Sequence, residues 1–142
     1  MTPEGLAKLI IMEGEVLHAY QDHLGYWTIG VGHLIDKRRG GGISQRVSRI
    51  MLTNDVEKAT AQCRQAFDWI DLLDPVRQDV IIQLCFNMGL AGLKTFKDFL
   101  AACEKQDWTM AVNELLDSKW AKQVQKERVD DLVNAIEYGV WD

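Results

Sequence analysis

Residues 13–33, Glu-Gly-Glu-Val-Leu-His-Ala-Tyr-Gln-Asp-His-Leu-Gly-Tyr-Trp-Thr-Ile-Gly-Val-Gly-His, read as the end of a helix followed by a hairpin, and no other stretch constrains the fold as tightly. Aromatic and β-branched residues at 19–22 and 26–31 favour strands. His23-Leu24-Gly25 between them is short and ends in Gly, which tolerates the positive φ of a tight turn. In the second strand Trp27, Ile29 and Val31 alternate with Tyr26, Thr28 and Gly30, so Thr28 projects from the face opposite the aliphatic set, with room beside it at Gly30. Upstream, Thr2 is an N-cap candidate and Pro3 suits the first position of a helix over 3–12. Leu6, Leu9 and Ile10 form one apolar stripe of that helix, and Glu13 continues it. A carboxyl at such a place is expected to be partly buried, which disfavours its charged form and suits a general acid. Asp22, beside the turn, is expected to stay wetter and ionised. Two carboxyls in contrasting environments are what glycoside hydrolysis uses. Taken from spacing alone, a solvated or ion-paired Glu13 and ordinary turn chemistry for Asp22 are the commoner explanations.

The ordered set Glu13-Gly14, Tyr20-Gln21-Asp22 and Gly25-Tyr26-Trp27-Thr28-Ile29-Gly30-Val31-Gly32-His33-Leu34 closely resembles the active-site signature of phage-type lysozymes related to the T4 enzyme. The resemblance implies that Glu13 is the general acid, that Asp22 assists the attacking water and that Thr28 positions it. The implied reaction is inverting cleavage of the β-1,4 bond between N-acetylmuramic acid and N-acetylglucosamine, by an endolysin that lyses a host cell. Gly30 and Leu34 of the same motif are expected to touch the glycan. So is Asn87 in Phe86-Asn87-Met88-Gly89, where the T4 enzyme has a Gln, although capping of its own helix explains Asn87 as readily. By the same resemblance Asp55 pairs with His33, and Arg128 stands where relatives place an Arg that pairs with the catalytic Glu, with Lys126 close by. A solvated Asp55 is the plainer alternative. Two other functions fit the same fold: a glycan-binding module without catalysis, and a hydrolase of another N-acetylhexosamine polymer. The intact set of acid, base and hydroxyl argues against the first.

Elsewhere the pattern is helical. Ser44 caps a long helix over 45–67, and Leu34-Ile35-Asp36 is a candidate third strand. The intervening Lys37-Arg38-Arg39-Gly40-Gly41-Gly42 is a loop, either a plain one or a basic lip of the substrate cleft. Asp74-Pro75 opens a helix expected to stop at Gly89, and three further helices carry Phe96, Phe99, Leu100 and Cys103, then Ala111, Val112, Leu115 and Leu116, then Val129, Leu132, Val133 and Ile136. The closing Gly139-Val140-Trp141-Asp142 also resembles the family pattern. The expected class is α+β: a two-lobed lysozyme-like fold with a small antiparallel β lobe at about 13–55, a linking helix at about 45–67, and a helical lobe at about 68–142 joined by helix 3–12. All 142 residues form a single lysozyme domain in this reading.

A formal charge of −5 provides no basic footprint, which argues against a nucleic-acid binder and against long-range attraction to an anionic envelope, although phage lysozymes of this type are often basic. Cys63, Cys85 and Cys103 are odd in number and sit on apolar helix positions, as reduced core residues do. His18, His23 and His33 lack the spacing of a metal site, so neither metal nor cofactor is expected. The first residues have no signal-peptide pattern and residues 9–12 are too short to span a bilayer. The expectation is a monomer without stable membrane association that accumulates in the host cytoplasm. It would reach peptidoglycan in the periplasm once a separately encoded holin, implied by the resemblance, permeabilises the membrane.

Overall fold

A computed structural model describes residues 1, 3–35 and 42–141. The Thr2 cap, Asp36, the basic loop up to Gly41 and Asp142 lie outside the described residues. The elements run α1 (Pro3–Glu13), β1 (Glu15–Gln21), β2 (Trp27–Val31), β3 (His33–Leu34), α2 (Gln45–Ala66), a 3₁₀ turn (Ile70–Leu72), α3 (Pro75–Lys94), α4 (Lys97–Glu104), α5 (Trp108–Leu116), α6 (Lys119–Gln123) and α7 (Lys126–Tyr138). This is the α+β class expected. Contacts divide the chain into two compact units, Met1–Met51 and Leu52–Asp142.

In the first unit, β1, β2 and β3 form one antiparallel sheet in that order. The register pairs Tyr20 with Thr28 and Gln21 with Trp27, and Thr28 with Leu34 on the other side. Strand β1 starts four residues earlier than the composition of residues 19–22 suggests. An irregularity between Val16 and Tyr20 lets the preceding residues pair with Gly30 and Val31 despite their mixed polarity. The third strand comes one residue early, at His33, because Ile29 pairs with His33. No residue of α1 is buried, and the stripe Leu6, Leu9 and Ile10 is exposed.

In the second unit α3 supplies Val80, Ile81, Leu84, Cys85 and Leu93 to the core, against Phe99, Leu115, Leu132 and Ile136 from α4, α5 and α7. The helices start where short polar side chains can satisfy free backbone N–H groups. Asp74 accepts from Arg77 N at 3.1 Å, Asp107 from Met110 N at 3.1 Å and Ser118 from Ala121 N at 3.2 Å. Gly89 does not end α3 as its sequence suggests. Its backbone leaves helical geometry (φ 80°, ψ 161°), a conformation Gly adopts without a Cβ penalty, and helical chain resumes to Lys94. The five-residue helix α6 also goes beyond the sequence reading; its Ser118 cap is its one local signal. Cys63, Cys85 and Cys103 are free and buried, and burial pushes the Cys63 and Cys103 thiols up to about 12. Among the described residues no helix is long and apolar enough to cross a membrane.

Candidate active site

The first unit holds a pocket of about 740 Å³. Glu13, Asp22, Thr28 and Leu34, all singled out in the sequence, line it together; Tyr20, Gln21, His23, Leu24, Tyr26 and Gly32 complete the lining. The sheet register explains most of this set. Thr28 lies between Tyr20 and Leu34 in the strand pairing, so these three side chains share a face. Two-residue alternation already set Tyr26 on the face of Thr28, and the register between β1 and β2 adds Tyr20; the sequence analysis named neither as a site residue.

Asp22 sits at the end of the hairpin turn. Its backbone N–H donates to Tyr26 O at 2.9 Å, and its carbonyl accepts from Gly25 N at 2.9 Å. Its Oδ1 accepts from both Leu24 N and Tyr26 N at 2.9 Å. The Tyr26 N–H, aided by the Leu24 N–H and the positive influence of His23, holds the carboxyl below its ordinary value of 3.8, although partial desolvation opposes them. The group therefore stays ionised, as the sequence suggests. Asp22 is nonetheless half-buried while Glu13 is exposed, the reverse of the expected order of wetness, because the turn folds its own backbone around the carboxyl. A depressed folded-state value stabilises the fold above the ordinary carboxylate pKa, and this contribution is lost as pH falls through the folded value.

Thr28 is buried at 6% exposure, and its hydroxyl donates to Tyr26 O at 3.2 Å. That bond fixes the rotor and leaves the oxygen's lone pairs for a further donor such as water. Glu13 closes α1 and is exposed, contrary to the partial burial its stripe position suggests, because the helix ends there. Its carboxylate lies against the α-carbon of Gly32: a Cβ built on Gly32 would be 2.6 Å from Glu13 Oε2 and 3.0 Å from its Cδ.

The remaining sequence-derived residues fall elsewhere. Gly30 pairs with Val16 and His33 with Ile29, and neither lines the pocket. Asp55, Asn87 and Arg128 belong to the second unit. There Asn87 Oδ1 accepts from Trp120 Nε1 at 2.7 Å, a tie between α3 and α6 rather than a cap of its own helix. Arg128 lines a small cavity with Gln83, Asp131 and Trp141, and Asp55 lines another with Lys58, Gln62 and Cys85.

The phage lysozyme family model matches residues 11–136 of the chain. A probable T4-type lysozyme of Dictyostelium discoideum is 29% identical over 89% of each chain, and a second from the same organism is 27% identical over 89% of each. An endolysin of Acyrthosiphon pisum secondary endosymbiont phage 1 is 30% identical over 86% of this chain and 80% of its own length.

Proposed function

Because the chain belongs to the phage lysozyme family, we propose that this lysozyme-type glycosidase cleaves the β-1,4 bond from N-acetylmuramic acid to N-acetylglucosamine in bacterial peptidoglycan, with inversion. The observation that carries the proposal is the convergence of Glu13, Asp22 and Thr28 on one pocket, with Asp22 held as a carboxylate by backbone N–H groups. Glu13 donates its proton to the glycosidic oxygen as the C1–O bond breaks. Asp22 takes a proton from a water molecule that Thr28 Oγ1 orients, and the water oxygen bonds C1 from the opposite face of the sugar. Inversion requires the two carboxyls to stand roughly 6.5–9.5 Å apart, leaving room for that water. Gly30, Leu34 and Asn87 are proposed glycan contacts, with His33, Asp55 and Arg128 in support and all 142 residues acting as one lysozyme domain. In the cell the enzyme would act as a monomeric endolysin, released to the periplasm by a holin.

The test is product analysis on purified peptidoglycan. Borohydride reduction of the digest is expected to convert the new reducing ends to muramitol, and NMR in the first minutes to show the α anomer before mutarotation. Glucosaminitol ends would refute the bond assignment, and an initial β anomer would refute inversion. Binding without any new reducing end would make the protein a glycan-binding module, and turnover confined to chitin would change the substrate.

Asp22→Asn separates the base from the turn. The amide oxygen can still accept from Leu24 N and Tyr26 N, so the hairpin is expected to persist. Loss of the negative charge removes the proton acceptor, with an expected fall in turnover of about 10²-fold or more. Turnover within about twofold of wild type, with amide NMR shifts of the hairpin unchanged, would remove Asp22 from the mechanism.

A further inference from the structure

We infer that Gly32 is a positioning residue for the acid: its bare α-carbon is the surface against which the Glu13 carboxyl group rests, and a side chain there displaces the proton donor. The inference rests on the assignment of Glu13 as general acid and adds what sets that acid's place. The contact is tighter than ordinary on two atoms, since a Cβ on Gly32 would lie 2.6 Å from Glu13 Oε2 and 3.0 Å from Cδ, with Cγ at 3.4 Å. The oxygen would have to retreat to the 3.4 Å or more of ordinary contact. The displaced atoms are the far end of a flexible side chain, so the carboxyl swings away and the fold survives. Gly32 also has φ +63°, a left-handed conformation that independently favours glycine. Gly14 has nearly the same conformation, φ +72°, with nothing within 4 Å of a Cβ built there. Position 14 thus reproduces the backbone strain of position 32 without the contact.

A displacement of about 1 Å in a reacting group costs on the order of 10²-fold in rate. Gly32→Ala is therefore expected to lower kcat on soluble peptidoglycan fragments by about 100-fold, with KM within about twofold of wild type. Its thermal midpoint should match that of Gly14→Ala, because the two variants share the strain. The partner experiment shortens the acid. In a Glu13→Asp background the carboxyl has already withdrawn by one methylene, so adding Gly32→Ala should change kcat by less than about threefold. Wild-type kcat in Gly32→Ala, an equal loss in Gly14→Ala, a rise in KM at constant kcat, or additive losses in the Glu13→Asp background would each overturn the inference. If Gly32→Ala does not fold, the Glu13→Ala/Gly32→Ala pair decides: a folded double variant identifies the Glu13 contact as the cause, and an unfolded one overturns it. Glu13→Gln run alongside keeps the two claims apart. Full activity there removes the acid assignment itself, whereas an inactive Glu13→Gln with a fully active Gly32→Ala removes only the role of Gly32.

Discussion

Glu13→Gln will give a folded protein that no longer clears suspensions of outer-membrane-permeabilised Gram-negative cells. Glutamine matches the shape of glutamate, and position 13 is an exposed helix end, so neither packing nor the hairpin depends on the charge. What the amide lacks is a proton that can pass to a leaving oxygen. Removing a positioned general acid costs roughly 10²–10⁴-fold in turnover, which in a turbidity assay is the difference between clearing in minutes and no visible clearing. Circular dichroism should superpose on wild type. Equal clearing by both proteins would mean that the wrong acid has been named. Loss of clearing together with loss of helicity would instead give Glu13 a structural role.

Arg77→Ala will produce a large loss of stability, about 3 kcal/mol in chemical denaturation. The Arg77 side chain is 15% exposed and joins three helices. Its Nε donates to Ile136 O at 2.7 Å and its Nη2 to Glu137 O at 3.0 Å, carbonyls of the last turn of α7 that lack intrahelical partners. Its Nη1 meets Asp74 Oδ2 at 3.1 Å, and the guanidinium stacks 4.2 Å from the Trp108 ring centroid. Bonds from a charged donor contribute about 1.5–3 kcal/mol each, and the cation–π contact about 0.5–2 kcal/mol. Water entering after truncation satisfies part of what is lost, which holds the total near 3 kcal/mol. Arg77→Lys should recover only a fraction, because an ammonium cannot reproduce the planar fork. A cost below about 1 kcal/mol for Arg77→Ala would show that water replaces the guanidinium without penalty.

The hairpin and its pocket were legible because their determinants are local. Glu13, Asp22, Thr28 and Leu34 lie within 22 consecutive residues, and strand alternation with one turn decides which of them share a face. The same locality hid Gly32: a glycine in a glycine-rich turn between two strands shows no sign in sequence that a carboxyl group rests on its α-carbon. Across longer separations the pattern fell silent. Arg77 reaches α7 over 59 residues and Trp120 reaches Asn87 over 33, and no periodicity encodes either bond. Helix α6 has too few residues for an apolar stripe, and the kink at Gly89 looks in sequence like a helix end. The burial expected for Glu13 followed from extending a helical stripe to the residue where the helix stops.

Every buried apolar residue of the core cluster lies between Ala59 and Ile136, whereas Thr28 is the one residue classed as buried among those described in Met1–Met51. The proposed site thus lies in the part of the chain that hydrophobic burial holds least, and the buried core belongs to the other unit. Backbone pairing and the Asp22 turn, not a packed interior, keep the proposed catalytic groups in register. Cooperative melting should then report on the helices, while amide exchange at the proposed site is expected to follow a lower free-energy scale of its own, set by a few strand hydrogen bonds.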